Sequence, residues 1–358
     1  MSKKVYEHLL SQDPIGAFEK IKQDLIRYFS YVYRVNNDEL NKERIRRLGE
    51  EDNLYKEPYL EILPEYKSVE NINGIEDLWK EFVAAFGDEK ISKQFFSDFI
   101  KQGLMNYTPY VHQKEMLEKA FIQKNNVVIT SGTGSGKTES FLLPLLAQLF
   151  SEAKTWPKPN YDSIDWFKGK KKEGKKYEPC QRKGETRKSA MRALVLYPMN
   201  ALVEDQMTRL RRALDNDAIR TFFDSEEGLK GNRIYFGRYT RNSIGSKSHA
   251  LIKQYKPKQL NDKEKDVAKK LSEIHHKYVN ILKHYNSDKE KEDDASLFVT
   301  PRLDDQSRTA EMLTRWDMQI APPDIMITNT SMLSIMLMRT AEEDIFKSTR
   351  EWLNADDI

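Results

Sequence analysis

The fold is decided by the stretch Val127-Val-Ile-Thr-Ser-Gly-Thr-Gly-Ser-Gly-Lys-Thr-Glu-Ser140, which runs into the apolar segment Phe141-Leu-Leu-Pro-Leu-Leu146. Four β-prone residues lead into a glycine-rich turn, and a helical pattern begins at Lys137. A loop that cradles phosphate needs this order, because glycines let backbone N–H groups approach the phosphates and the new helix adds its positive end. The stretch therefore predicts a strand, a phosphate-binding loop and a helix.

Within this loop, Lys137 is expected to reach the β- and γ-phosphates of a nucleotide, and Thr138 to hold Mg²⁺. The strict P-loop pattern has glycine where this chain has Ser131. A Gly/Ser/Thr hairpin or linker is the alternative, but it does not explain Gly-Lys-Thr between a strand and an apolar helix. The predicted nucleotide contacts are Ser131, Gly132, Thr133, Gly134, Ser135, Gly136, Lys137, Thr138 and Glu139.

Composition limits the classes of protein that fit. Apolar residues make up 39% and charged residues 32% of 358 residues, which is typical of a soluble protein with a charged surface. No apolar run approaches the ~20 residues that span a bilayer, and the N-terminus has no signal-peptide core. The single cysteine, Cys180, excludes a disulfide framework within this chain. We expect a cytoplasmic location and no membrane partner.

Three further segments have the pattern of buried strands followed by helices or polar turns. The first is the apolar run from Arg192 to Pro198, followed by a helix that carries Gln206 and Arg209. The others are Ile234 to Thr240 and Ile325 to Ile327. Together with the phosphate loop they predict an α/β fold with a parallel sheet. We expect this lobe to occupy residues 105–358, behind an all-α accessory domain at residues 1–104.

Two charged insertions are expected to interrupt the lobe. Residues 156–191 are rich in lysine, arginine and glycine, and predict a mobile surface loop. This loop either contacts phosphate backbones non-specifically or is simply solvated. Residues 243–304 predict a second insertion that is charged and largely helical.

The ordered motifs resemble the first RecA-like lobe of a DEAD/DEAH-like superfamily 2 helicase. Ser131 to Thr138 is similar to the helicase form of the P-loop, and Tyr197-Pro-Met-Asn-Ala-Leu-Val-Glu-Asp-Gln206 to motif Ia. Asp324 to Leu333 is similar to motif Ib. The residues of these motifs most resemble those of long bacterial helicases of DNA repair and anti-phage defence, the Druantia and DISARM-like systems among them.

The resemblance implies roles for particular residues. Gln113 is expected to read the adenine edge of ATP, with Tyr110, or Tyr107, as a stacking partner. Nucleic acid is expected to lie along motifs Ia and Ib and the strand between them. Its predicted contacts are Pro198, Asn200, Gln206, Arg209, Gly237, Thr328 and Asn329.

The resemblance also implies ATP and Mg²⁺ as cofactors and nucleic acid, DNA rather than RNA, as partner. The Asp-Glu-x-His box expected after the next strand does not occur, and Asp356 and Asp357 are not preceded by an apolar strand. We therefore expect this chain to be the front part of a longer motor that works with its remainder or with other defence subunits. Alone, it is expected to bind nucleotide weakly and to hydrolyse it slowly or not at all. The alternatives are a non-catalytic DNA-binding or assembly module and a small-molecule P-loop kinase, which would not explain Tyr197 to Gln206.

Overall fold

A computed structural model describes residues 13–33, 35–53, 55–56, 65–161, 166–168, 176–285, 300–303 and 308–355. The chain divides into two units, Met1–Glu65 and Tyr66–Ile358. The predicted boundary at residue 104 differs from this division.

The first unit contains helices α1 (Pro14–Val32) and α2 (Asp38–Leu48). The carboxylate of Asp13 accepts the Gly16 N–H at 2.8 Å and so caps α1, whose first residue is proline. Asn37 caps α2 in the same way. The predicted helical N-terminal region is confirmed.

The second unit begins with helices that pack into the core of the lobe. They are α3 (Trp79–Phe86), α4 (Glu89–Lys93), α5 (Lys101–Gly103), α6 (Val111–Leu117) and α7 (Lys137–Ala153), with π-helical turns at Gln94–Ile100 and Glu118–Ile122. Phe95 and Phe99 are fully buried, and both rings contact Phe150 of α7. Residues 66–104 therefore belong to the lobe's own core, because their aromatic side chains are buried by the helix that follows the phosphate loop.

A four-stranded parallel sheet forms in the described part of the chain. Its strands are β1 (Ala193–Tyr197), β2 (Phe236–Arg238), β3 (Glu311–Met312) and β4 (Ile325–Asn329), in the spatial order β1-β4-β2-β3. The β1–β4 register runs from Ala193 opposite Ile325 to Tyr197 opposite Asn329. Helices α8 (Asn200–Asp215) and α9 (Asp217–Asp224) follow β1. The predicted α/β class with a parallel sheet is confirmed.

Val127 to Thr130 are not part of this sheet, which corrects the prediction of a strand before the phosphate loop. The side chain of Val128 is 89% exposed. A β-prone sequence becomes a strand only when another strand takes up its backbone hydrogen bonds. In the described part of the chain, no strand pairs with this segment.

The remaining helices are α10 (His249–Tyr255), α11 (Pro257–Tyr285), α12 (Arg315–Ile320), α13 (Thr330–Met338) and α14 (Glu343–Leu353), with 3₁₀ turns at Trp166–Lys168 and Thr340–Glu342. In α13, Met332 and Met336 are buried, whereas Met338 is 86% exposed. Within the described residues, no helix has the length and apolar content needed to cross a bilayer.

The described part of residues 156–191 is packed, which corrects the prediction of a mobile loop. Arg187 lies 3.5 Å above the ring of Trp156 and forms two hydrogen bonds of 2.7 Å with Asp324. Arg182 is also buried, beside Glu185. The sequence was misleading here because a buried arginine is stable only with partners that lie far along the chain. The lysine-rich residues 169–175 lie outside the described residues.

Candidate nucleotide and nucleic-acid sites

The phosphate loop has the backbone conformation that its glycines permit. Gly134 and Gly136 have φ values of +74° and +72°, in the left-handed region that favours glycine. Helix α7 then begins at Lys137, as predicted, so its unpaired N–H groups and the positive end of its dipole face the loop. An anion at this position would be bound by both.

The ammonium group of Lys137 lies against the loop. It donates hydrogen bonds to the carbonyl oxygens of Ser131 at 2.7 Å and Gly132 at 2.5 Å. Carbonyl oxygens are weaker partners for a cation than charged phosphate oxygens. The lysine is therefore already positioned at the loop and can exchange these partners for a phosphate.

Two side-chain contacts hold the loop, one within it and one from helix α6. The hydroxyls of Ser131 and Ser135 are 2.6 Å apart, and a ring nitrogen of His112 lies 2.8 Å from the Ser135 carbonyl oxygen. His112 thus contacts the loop's backbone. The loop is therefore tied to α6, the helix that also carries Gln113.

Gln113 is fully buried, with its carboxamide between α6 and the loop. Its Oε1 accepts the Tyr110 N–H at 2.9 Å, and its Nε2 donates to the Gly136 carbonyl at 3.2 Å. Its side chain also hydrogen-bonds Tyr107, whose hydroxyl has a pKa raised by burial and by the charge of Glu139. The predicted adenine reader thus has its polar atoms engaged within the protein in this conformation.

Tyr66 was not found from the sequence, and it lies beside the loop. A Cβ placed on Gly132 would be 3.0 Å from the Tyr66 hydroxyl oxygen, which is buried without a hydrogen-bond partner. The Tyr66 ring contacts those of Tyr110 and His112, with centroids 5.7 and 5.5 Å away. No spacing rule could find Tyr66, because more than sixty residues separate it from the loop. An unsatisfied hydroxyl here fits a ligand with hydrogen-bond acceptors.

Helix α8 contacts the first turn of α7 through two predicted nucleic-acid residues. Gln206 Nε2 lies 3.4 Å from the hydroxyl of Thr138. Arg209 forms an ion pair with Glu139 and a second one with Asp205, at 3.1 Å. Both side chains therefore face the phosphate-loop helix, where the sequence predicted contacts with nucleic acid.

The other predicted nucleic-acid contacts differ in accessibility. Pro198 is exposed just after β1, whereas the side chain of Asn200 lies outside the described residues. Asn329 is half-buried and caps α13 by accepting the Met332 N–H at 2.7 Å.

Two of the predicted contacts do not fit their position in the structure. Thr328 is fully buried and donates its hydroxyl to the Tyr239 carbonyl. Gly237 is buried in β2, where an added Cβ would lie 2.9 Å from the sulfur of Met318. Both residues pack within the sheet, so a bound nucleic-acid strand cannot contact their side-chain positions in this conformation.

The segment Arg315-Trp-Asp-Met-Gln319 of α12 is a structural junction. Asp317 is buried and accepts hydrogen bonds from the Tyr177 hydroxyl at 2.7 Å and the Cys180 N–H at 2.8 Å. Burial raises the pKa of this carboxyl, although these hydrogen bonds oppose the shift. Burial also raises the pKa of the Cys180 thiol to about 12, so the thiol is protonated and unreactive at neutral pH.

No group of three or more acidic, histidine or cysteine side chains that could hold a metal ion occurs among the described residues. P-loop sites hold Mg²⁺ with the loop's Ser or Thr hydroxyl, a Walker B aspartate and nucleotide oxygens, and Thr138 occupies the position of that hydroxyl. The half-buried Thr138 hydroxyl has a second lone pair for this purpose.

Comparison with known proteins identifies related sequences. Residues 110–252 match the DEAD/DEAH box helicase family. The chain is 29% identical over 374 residues to the Druantia protein DruE of Escherichia coli (strain UMEA 4076-1). This alignment covers 95% of the chain, which spans only 18% of that relative. No solved structure matches the chain.

Proposed function

We propose, from the premise that this chain carries a DEAD/DEAH box helicase domain, that it is the ATP-binding and nucleic-acid-binding front part of an ATP-dependent DNA helicase or translocase. Its similarity to the Druantia protein DruE supports a role in bacterial anti-phage defence. A parallel sheet flanked by helices is consistent with a RecA-like helicase lobe. The longer motor's activity, partners and cytoplasmic location are part of this proposal.

The observation that carries the proposal is the geometry of the phosphate loop. Two left-handed glycines, a helix that starts at Lys137 and a lysine ammonium on the loop carbonyls form an anion site with a nearby cation. The Tyr66 hydroxyl beside Gly132 adds an unsatisfied donor. These features fit a nucleoside triphosphate.

The residues of this chain would divide the work of holding ATP and Mg²⁺. Lys137 would balance the charge of the terminal phosphates, the N–H groups at the start of α7 would bind phosphate oxygens, and Thr138 would supply a hydroxyl to Mg²⁺. Cleavage of the terminal phosphoanhydride is the chemistry that ATP supplies. Gln113 would act first as a support of the loop, because its carboxamide already binds Gly136.

Contacts between α7 and α8 supply a path between the nucleotide and the nucleic-acid surface. Thr138 meets Gln206, and Glu139 meets Arg209, while α8 begins directly after the exposed end of β1. A nucleotide that changes the position of Thr138 would therefore move α8. We propose that this pair of contacts couples the two sites.

The test is single-stranded DNA binding by the purified chain, with and without a non-hydrolysable ATP analogue. If the sites are coupled, the analogue changes the DNA affinity of the unchanged chain by about fivefold or more, and Lys137→Ala abolishes the change. Lys119→Ala removes an exposed lysine of the preceding helical segment and is the matched control. If DNA affinity is changed neither by the analogue nor by Lys137→Ala, a non-catalytic binding module is favoured instead.

A further inference from the structure

A cavity of about 730 Å³ lies beside helix α10, away from the phosphate loop. It opens between α10, the segment that precedes it and the end of α13, and Arg315 of α12 forms part of its wall. The lining residues are Ser246, Lys247, Ser248, Leu251, Ile252, Tyr255, Lys256, Arg315, Met338, Arg339, Thr340 and Ala341. We call this set the basic groove.

The charges of the basic groove are all of one sign. Lys247, Lys256, Arg315 and Arg339 are cationic, and none of the twelve lining residues is acidic. Arg339 is paired with the buried Glu342 at 2.9 Å, and Arg315 donates its Nε to the Thr240 carbonyl at 3.0 Å. Both guanidiniums are thus held in place, while neither lysine forms an ion pair within the part of the chain that the structure describes. A surface of this kind attracts polyanions.

The groove also carries exposed apolar side chains. Tyr255 is 70% exposed and Met338 is 86% exposed. Lys247 has a φ of +71°, a left-handed conformation that is uncommon for a residue with a side chain. Exposed aromatic side chains among cations are typical of surfaces that bind single strands, because the bases stack while the phosphates contact the cations.

The basic charge continues beyond the groove. A second cavity of about 250 Å³ shares Ser246 with it and is lined by Arg241, Lys263 and Lys270, together with Asp266. Burial and the nearby charges of Lys247 and Lys256 lower the pKa of Lys263, Asp266 opposes that shift, and Lys270 is paired with Asp266 at 2.8 Å. The two cavities meet at Ser246, in the described part of the second insertion.

The groove lies at the edge of the sheet where the other nucleic-acid candidates are found. Its residues 246–248 follow β2, and Arg315 follows β3. Because the four strands are parallel, these segments leave the same edge as Pro198 after β1 and Asn329 at the end of β4. A nucleic-acid strand bound along this edge of the sheet would continue into the groove.

We propose that the basic groove binds single-stranded nucleic acid, with phosphates at Lys247 and Lys256 and a base on Tyr255. This inference rests on the proposed function and extends its track from the motif residues onto the second insertion. It assigns a binding role to α10 and the residues before it, for which the sequence predicted no nucleic-acid contact.

The test measures binding of a fluorescent 20-nucleotide oligothymidine to the full chain across a range of salt concentrations. The double variant Lys247→Ala/Lys256→Ala is expected to weaken binding about tenfold at low salt. It is also expected to reduce the slope of log affinity against log salt by about 1.4, since each lost phosphate contact removes about 0.7. Lys265→Ala/Lys269→Ala removes the same charge from exposed positions of α11 and is expected to leave both values unchanged.

Substitutions of Tyr255 separate the contribution of base stacking to the affinity from that of charge. Tyr255→Ala is expected to weaken binding about tenfold with an unchanged salt slope, whereas Tyr255→Phe keeps the ring and the affinity. The groove assignment is overturned if the two double-lysine variants have the same affinity and salt slope, or if duplex DNA binds more tightly than the single strand. The proposed function stands in either case. If the unchanged chain does not bind the oligonucleotide at all, both are overturned.

Discussion

At the scale of single residues, Gln113 shows how a motif residue can have a structural role that its sequence does not reveal. Its carboxamide connects the Tyr110 backbone to the Gly136 carbonyl across the start of α7. A Cβ on Gly136 would lie 2.4 Å from the Gln113 nitrogen, so the glycine is required for this approach as well as for its positive φ. Reading of adenine by Gln113 stays a prediction, and it requires these contacts to open.

We expect Gln113→Ala to lower the free energy of unfolding by about 1–3 kcal/mol, because the Tyr110 N–H loses its acceptor and a fully buried side chain is removed. Urea denaturation followed by circular dichroism measures this change. Gln123→Ala, at an exposed position beyond the same helical segment, is the control and should cost less than about 0.5 kcal/mol. An unchanged unfolding midpoint for Gln113→Ala would show that the carboxamide does not support the loop.

At the scale of elements, the strands are held together at their amino ends by Asp324. Its carboxylate binds Arg187 and, at 2.9 Å, Arg192, and it accepts the Tyr235 N–H at 2.8 Å just before β2. Burial raises the pKa of this carboxyl, but the charges of the three arginines Arg187, Arg182 and Arg192 outweigh burial and lower it to about 2. One acidic side chain therefore joins β1, β2, β4 and the preceding packed segment.

Replacement of Asp324 by asparagine is expected to lower the free energy of unfolding by about 1–3 kcal/mol at pH 7, because the buried Arg187 and Arg192 each lose a charged partner and keep only Glu185 and Glu152. The folded-state pKa is below the unfolded value of about 3.9, so the stabilisation is present above pH ~4 and is lost as the pH falls towards 2. Denaturation at pH 7, 4 and 2.5 measures both effects. Asp262→Asn, at an exposed position, is the control. If Asp324→Asn lost stability in acid as steeply as the unchanged chain, the ion network would not be its source.

Elements with local signals could be predicted, and those that depend on distant partners could not. Strands β1 and β4 and the start of α7 follow from continuous apolar runs and from Gly-Lys-Thr. The two-residue strand β3 has no such run, and it forms because Phe236 and Gly237 pair with Glu311 and Met312. In the same way, the burial of Arg187 and the place of Tyr66 depend on contacts that span many tens of residues. The predicted strand at Val127 to Thr130 failed for the converse reason, since its local signal has no paired strand in the described part of the chain.

At the scale of the whole molecule, the lobe includes the helices from α3 onwards. Phe82, Phe95 and Phe96 are fully buried in one core with Leu143 and Phe150 of α7. Helices that share a core with the phosphate-loop helix cannot be removed without exposing that core.

We expect residues 66–358 to fold without the first unit, and residues 105–358 to be insoluble or lack a cooperative thermal transition. Deletion of residues 66–104 removes eight buried hydrophobic side chains, among them four fully buried phenylalanines, from a core that has no replacement for them. Thermal denaturation of the two fragments, beside the full chain, measures the difference. A cooperatively folded 105–358 fragment would restore the boundary predicted from the sequence.

The central claim, that the loop from Ser131 to Thr138 binds ATP, is tested most directly by calorimetric titration of ATP and Mg²⁺ into the purified chain. We predict a single site in the unchanged chain and in Lys119→Ala. Lys137→Ala should weaken binding about tenfold or more, because a charge-assisted hydrogen bond to phosphate is lost. Equal ATP affinity in Lys137→Ala and the unchanged chain would contradict the assignment of the loop and the function proposed from it.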